Sequence, residues 1–156
     1  MQVDGISLGK VEGVALSLMW HHIEDMIKRH PRGILDIATI EEVMDAIKHR
    51  QLDVWAAGNN GTLELVVLTQ VSMFNLKKTL FIVWAGGKNL KVLGAALLEM
   101  AEKWCAVHNI KEISAAGPTQ LGRMLAKFGF SCPRHEYVKS VGFTYLPEQS
   151  KYVRLN

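Results

Sequence analysis

Cysteine is scarce in this sequence, and long apolar runs are absent from it. Cys105 and Cys132 are the only cysteines among 156 residues. Their spacing follows no metal-binding or redox motif, so we expect reduced thiols and no metal site. No apolar run approaches the roughly 20 residues that a transmembrane helix needs. The first residues, MQVDGISLGK, lack the basic and apolar regions of a signal peptide. We therefore expect neither secretion nor a role at a membrane.

A strong charge of one sign is also absent, since the formal net charge is +3. An arginine-rich stripe with interleaved aromatic residues, which nucleic-acid-binding proteins usually show, is missing. Only short basic clusters occur, at Lys28, Arg29, His30 and Arg32 and at Lys77 and Lys78. We therefore expect no specific nucleic-acid binding. The hydrophobic fraction of 49% is typical of a compact globular protein. The length predicts a single domain over 1–156, with residues 143–156 as a tail that docks on the domain or on a neighbouring subunit.

Hydrophobic periodicity predicts helices followed by a mixture of strands and helices. Residues 11–30 and a segment that begins at Thr39, a suitable N-cap, have helical spacing. Asn60-Gly61 predicts a hairpin turn between the first two strands. The remaining predicted segments are the strands Leu52–Ala57, Leu63–Ser72 and Lys78–Trp84, a helix at 89–108, the strand Lys111–Ala116, the helix Thr119–Phe128 and the strand His135–Val141. The order is α-α-β-β-β-α-β-α-β, an α/β (α+β) domain with a mixed central β-sheet flanked by helices.

The stretch FIVWAGGKNLKVLGAALLEMAEKWC, residues 81–105, joins a predicted strand to a long predicted helix through Gly86-Gly87-Lys88. A glycine turn before a helix often binds phosphate, because the first N–H groups of the helix are free and partly positive. Lys88 and Lys91 add charge to such a site. The alternative is that the glycines only permit a sharp turn and the lysines are solvated. The stretch is not a P-loop, because Ile82 and Asn89 replace the required glycine and hydroxyl residue.

The predicted order of elements and the segment EISAAGPTQLGRMLAKFGF resemble the GNAT N-acetyltransferase superfamily. In that family a long helix follows the central strand, and a further strand and a short helix that ends in Gly-Phe come next. Here the long helix carries GAALLEMAEKWC, the strand is KEISAA and the pair is Gly129-Phe130. The likeness spans about residues 11–142. Within the superfamily, the sequence is similar in particular to divergent GNAT-like proteins that bacteriophages and prophages encode. It implies a single GNAT-like domain.

The resemblance implies acetyl-CoA as the cofactor. GNAT enzymes bind its pyrophosphate through a loop of the form Gln/Arg-x-x-Gly-x-Gly/Ala at the start of the long helix. Alignment on GAALLE puts this loop at 89–94, where only Gly94 is retained and Leu90 and Val92 replace glycines. The candidate cofactor-binding residues are therefore Gly86, Gly87, Lys88, Asn89, Lys91 and Gly94.

The resemblance also implies two catalytic groups that this sequence lacks. GNAT enzymes commonly place a Glu on the central strand and a Tyr on the short helix, but KTLFIVW has no carboxylate and Leu125 occupies the Tyr position. The substitutes are Glu64 on the adjacent strand, His21 or His22 on the first helix, and Tyr137 on the last strand. Each also has a structural interpretation, as a solvent-facing carboxylate, a packed histidine or a tyrosine in the sheet.

Two functions follow from these observations. In the first, the chain binds acetyl-CoA and acetylates an amine or a protein. In the second, the catalytic residues are degenerate, and the fold is a scaffold for a head, tail or internal virion protein that binds other virion proteins or itself. The missing Glu and Tyr favour the second function. The expected location is the cytoplasm of a bacterial host or the virion.

Overall fold

The computed structural model describes residues 2–3, 6–59, 61–74, 76–116 and 136–140. In chain order the elements are β1 Gln2–Val3, β2 Ile6–Val11, α1 Val14–Arg29, α2 Ile40–Lys48, β3 Asp53–Asn59, β4 Thr62–Phe74, β5 Lys77–Gly87, α3 Leu90–Val107, β6 Glu112–Ala116 and β7 Glu136–Ser140. The strands neighbour one another in sequence order. The sheet is mixed, because β5 and β6 are parallel and the pairs β1–β2, β2–β3, β3–β4 and β6–β7 are antiparallel. The chain divides into two compact units, one of residues up to 70 with 83–97 and one of 71–82 with the residues from 98 onward.

The predicted α/β class with a mixed sheet is confirmed, but the N-terminal part of the prediction is wrong. Two strands precede α1, whereas the sequence prediction began with a helix at residue 11. The segment ISLGKV of β2 does alternate apolar and polar residues, but six residues interrupted by Gly9 give a short signal. The helix begins only at Val14, because Gly13 turns the chain with φ 62°, a conformation that glycine adopts without steric cost.

The core of the first unit forms where α1 and α2 pack on the strands. Helix α1 buries Ile23, Met26 and Ile27, and helix α2 buries Val43, Met44 and Ile47. The strands add Val54, Val66, Leu68 and Trp84 to the same core. The predicted N-cap of α2 is confirmed: Thr39 Oγ1 accepts a hydrogen bond from the Glu42 N–H at 3.1 Å, and the Glu42 carboxylate accepts one from the Thr39 N–H at 2.9 Å. These bonds, foremost the one from the Thr39 backbone, lower the pKa of Glu42.

The hairpin predicted between the first two strands of the central region is present. β3 and β4 pair antiparallel, and the Asn59–Thr62 pair closes a two-residue connection in which Gly61 has φ 80°. Asn60 lies outside the described residues. The hairpin is longer than predicted, because β3 ends at Asn59 and β4 begins at Thr62.

The second unit contains the parallel pair of β5 and β6, with Thr79 opposite Glu112 and Ile82 opposite Ala115. Burial on both faces is expected of a parallel strand, and β6 shows it, since Ile113, Ser114 and Ala115 are each at most 2% exposed. The second half of α3 buries Leu98, Ala101 and Cys105. The predicted last strand is also present, as β7 paired antiparallel with β6.

Several predicted features lie outside the described residues: the helix Thr119–Phe128, the Gly129-Phe130 pair, Leu125, Cys132 and the tail at 143–156. In the described part of the chain, no helix is long and apolar enough to cross a membrane. No three His, Cys, Asp or Glu side chains of that part are grouped so that they could hold a metal ion.

Candidate functional site

A cavity of about 810 Å³ lies in the first unit, between α1 and strands β2 to β4. One wall is a stripe of α1, since Ala15, Met19, His22, Met26 and Arg29 recur every three or four residues. The opposite wall consists of residues of β2, β3 and β4 with the end of β5: Leu8–Val11, Ala56–Gly58, Gly61–Glu64 and Gly87–Lys88, while His30 adds to the α1 side. Small residues line the strand wall at Gly9, Ala56, Ala57 and Gly58, which leaves open space between the helix and the strands.

Glu64 lies on this wall because of an irregularity in the β3–β4 register. Ala57 pairs with Leu65 and Gly58 with Leu63, so Glu64 is the extra residue of a β-bulge. Bulges bend a strand and redirect a side chain, and they are frequent beside active sites. The half-buried Glu64 lines the cavity, and its Oε2 accepts a hydrogen bond from Asn89 Nδ2 at 3.4 Å.

The two glycines of the β5–α3 junction are required by packing. A Cβ on Gly86 would lie 2.7 Å from Cη2 of the buried Trp84 ring and 3.0 Å from the His30 Cβ. The Trp84 ring is fixed there, because its Nε1–H donates to the His30 carbonyl at 2.9 Å. Gly87 has φ 137°, and a Cβ on it would overlap the main-chain oxygen of Glu64. The space beside both glycines is therefore filled by protein.

The residues that follow the glycines are more exposed. The Lys88 N–H donates to the Glu64 carbonyl at 2.7 Å, which ties the junction to the bulge. Asn89 has φ 55°, and its carbonyl accepts the first helical hydrogen bond, from the Leu93 N–H at 2.8 Å. Lys88 and Lys91 are exposed, and neither has an ion-pair partner among the described residues. Gly94 lies one turn into α3 and is half-buried.

The charges that line the cavity are mostly positive. Lys10, Arg29 and Lys88 line it, whereas Glu64 is the one carboxylate among the described lining residues. Lys10 is committed elsewhere, because its Nζ lies 2.8 Å from Glu12 Oε2 and 3.4 Å from Asp53 Oδ1. The hydrogen bond and the positive charge of Lys10 lower the pKa of Glu12.

The predicted catalytic residues occupy different places. Glu64 lines the cavity, and of the two histidines on α1 it is His22, not His21, that lines it. Tyr137 lies on β7, where its backbone pairs with Ala115, and its side chain is outside the described set. The helical spacing from His22 to Arg29 is the signal with which the sequence analysis could have found Arg29.

Cys105 is not suited to nucleophilic chemistry. It is fully buried on α3, and burial, with a smaller effect of the Glu102 charge, raises the pKa of its thiol to about 12. The thiolate is the reactive form of cysteine, so this thiol is inert at neutral pH.

Comparisons with known proteins identify the fold. No protein-family model matches the sequence, and no curated protein matches it. Solved structures do match. A probable acetyltransferase from Staphylococcus epidermidis superposes with a TM-score of 0.69 at 10% identity, over 88% of this chain and 99% of that chain. The structure of yncA from Salmonella typhimurium, solved with its cofactor acetyl-CoA, gives 0.66 at 13% identity, over 92% and 98% of the two chains.

A GNAT family acetyltransferase from Brucella melitensis, in complex with acetyl-CoA, gives a TM-score of 0.62 at 10% identity, over 92% of this chain and 93% of that chain. Identities this low show the fold and assign no activity, because one fold can carry many functions. The predicted fold resemblance is confirmed at this level. The chain has the fold of the GNAT acetyltransferases.

Proposed function

We propose that this chain binds acetyl-CoA at the first turn of α3 and transfers the acetyl group to an amine that is bound in the cavity. The observation that carries the proposal is the position of Glu64. A β-bulge places Glu64 in the cavity wall, and hydrogen bonds join it to Lys88 and Asn89, directly before α3. The shared fold with structures that hold acetyl-CoA supports the choice of cofactor.

The first turn of α3 fits the phosphates of acetyl-CoA better than the glycine pair does. The first N–H groups of a helix have no partner within the helix and attract anions. Lys88 and Lys91 add two exposed ammonium groups at this turn. In contrast, the Lys88 N–H is already bonded to Glu64, and side-chain or main-chain atoms fill the space beside Gly86 and Gly87. Among the predicted cofactor residues, we therefore propose Lys88 and Lys91 as phosphate contacts and Gly86 and Gly87 as supports.

Acetyl-CoA would supply an activated acetyl thioester, and Glu64 would take the proton from the acceptor. An amine must lose a proton before its nitrogen can form an amide bond, and a positioned carboxylate is a suitable base. The Asn89 side chain donates to Glu64 Oε2, which orients the carboxylate, and no side-chain hydrogen bond or ion pair from a described residue occupies Oε1. This role replaces the missing carboxylate of β5. Tyr137 as the acid for the thiolate stays a prediction.

The experiment is a thiol-release assay with acetyl-CoA and a panel of small amines. We expect Glu64→Gln to lower the rate about a hundredfold or more, within the range of general-base contributions, while acetyl-CoA binding stays unchanged. Glu99→Gln is the matched control, because Glu99 is an exposed residue of α3 outside the cavity. A Glu64→Gln variant that keeps the full rate would contradict the proposed role of Glu64.

A second candidate function is a non-catalytic interaction module. The observation in its favour is a group of exposed apolar side chains where β4 ends and β5 begins: Val71, Met73 and Leu76, with exposures of 38%, 59% and 94%. A virion location and a phage origin stay predictions that belong with this candidate. Concentration-dependent self-association that Leu76→Asn abolishes, in a protein that binds no acetyl-CoA, would support it. Turnover of acetyl-CoA would contradict it.

A further inference from the structure

We infer that the acceptor in this cavity is a small primary amine that also carries an anionic group, a carboxylate or a phosphate, and that Arg29 binds this group. The inference rests on the proposed function, since it names the substrate class for the same site.

Arg29 is the cation that α1 contributes to the described lining of the cavity. Lys10 is held by Glu12 and Asp53. Arg29 is exposed, and its Nε–H donates to the Asp25 carbonyl at 3.4 Å. No carboxylate oxygen of the described residues lies within 4.0 Å of the Arg29 guanidinium nitrogens, so none of them forms an ion pair with Arg29. The terminal N–H groups of its guanidinium are therefore available for the two parallel hydrogen bonds that a carboxylate or phosphate accepts.

Glu64 supplies the opposite charge in the same cavity. The carbonyl of His30, next to Arg29, is bonded to the Trp84 ring, while the main chain of Glu64 lies against Gly87. The His30 Cβ lies 3.0 Å from the Cβ position of Gly86, the residue before Gly87. Arg29 and Glu64 therefore line one cavity beside the same end of β5. An ammonium group near Glu64 and an anion near Arg29 fit a single short molecule.

The size and the lining of the cavity agree with a small acceptor. A volume of about 810 Å³ falls in the range of roughly 300–1,000 Å³ for small-molecule pockets. Met19, Met26, Ala57 and Leu63 provide apolar surface for the carbon chain between the two charged ends. His22 lies on the Arg29 stripe of α1 and adds a polar group on the same wall.

The test measures binding of matched amine pairs by calorimetry, without acetyl-CoA, on the full chain. The pairs are phosphoethanolamine with ethanolamine and β-alanine with β-alaninamide. We expect the anionic member of a pair to bind at least about tenfold more tightly than the neutral member, since a charged bidentate contact is lost in the latter. We expect Arg29→Gln to remove most of that difference. The preferred pair shows whether the anion is a phosphate or a carboxylate.

Lys28→Gln is the matched control for Arg29→Gln. Lys28 is the preceding residue of α1 and carries the same charge, but it pairs with Glu24 at 3.5 Å and does not line the cavity. We expect this variant to keep the preference for anionic amines. Equal binding of both members, an unchanged preference in Arg29→Gln, or a failure of every probe to bind would overturn the inference.

Titration of the same samples with acetyl-CoA separates this inference from the proposed function. Binding of acetyl-CoA without binding of any amine overturns the inference and leaves the proposed function in place. Arg29-dependent binding of anionic amines without binding of acetyl-CoA supports the anion site and contradicts the transfer reaction.

Discussion

The lysines near the two ends of β5 differ in their contacts. At the start, Lys77 Nζ lies 2.8 Å from Oε2 of Glu112, a carboxylate that is buried in the second unit. At the end, Gly86 and Gly87 fit against Trp84 and the main chain of Glu64. After them, Lys88 and, in the first turn of α3, Lys91 are exposed and have no ion pair among the described residues.

The difference separates residues that the fold needs from residues that are available for a ligand. A buried carboxylate requires a partner, so Lys77 has a structural role. The glycines have one too, because any side chain would displace a neighbour. The ammonium groups of Lys88 and Lys91 form no ion pair with a described residue, and they lie beside the N-terminus of a helix, where anions bind.

The largest effect that we expect is on Gly87. Gly87→Ala places a Cβ against the Glu64 carbonyl at φ 137°, and we expect a loss of roughly 3 kcal/mol in the free energy of unfolding from overlap and backbone strain. The matched control is Gly33→Ala, which also has a positive φ, 90°, but has open space around its Cβ. We expect a loss of about 1 kcal/mol there, from φ alone. Urea denaturation measures the free energy of unfolding of both variants. Equal losses would show that the overlap of the new Cβ with the Glu64 carbonyl has no energetic cost.

The next effect is on Lys77. Removing one partner of a buried pair leaves an uncompensated charge, and because Lys77 is one-third exposed we expect Lys77→Met to cost about 2–3 kcal/mol, below the full range for buried pairs. Lys103→Met is the comparison, since Lys103 lies 3.7 Å from Glu99 in an exposed pair, for which we expect less than about 0.5 kcal/mol. Thermal or urea unfolding measures the loss in the free energy of unfolding of both variants. Equal losses would contradict a structural role of Lys77.

The smallest effect on stability is expected for the lysines after the glycines. We expect Lys88→Gln and Lys91→Gln each to change the free energy of unfolding by less than about 0.5 kcal/mol, the usual limit for exposed positions without special contacts. The same urea measurements as for Lys77 check this. A loss of 2 kcal/mol or so would mean that these lysines belong to the fold, as Lys77 does, and would erase the contrast between the two ends of β5.

Local signals predicted most of the elements, whereas the site depended on contacts between distant segments. Thr39 marked the start of α2, and Asn60-Gly61 marked the hairpin, because these signals act within a few residues. β2 was missed, since its alternation is short and contains Gly9. The position of Glu64 follows from the β3–β4 register, in which it is the extra residue. No pattern within β4 alone contains that information.

The glycine pair illustrates the same limit. The sequence left open whether Gly86 and Gly87 bind a phosphate or permit a turn. The structure shows that Gly86 accommodates the Trp84 ring and that Gly87 accommodates the carbonyl of Glu64. Glu64 is more than 20 residues away from Gly87 in the chain. The residues of the cofactor site therefore remain a prediction. In the present proposal Lys88 and Lys91, rather than Gly86 and Gly87, contact the phosphates.

Titration calorimetry of the purified chain with acetyl-CoA tests the central claim most directly. We expect micromolar binding that weakens at least about tenfold in the double variant Lys88→Gln/Lys91→Gln, since two charged contacts to phosphate are lost. We expect no change in Lys103→Gln, which removes the same kind of charge near the other end of α3. The absence of heat at millimolar acetyl-CoA, or equal affinity in the double variant, would contradict the claim.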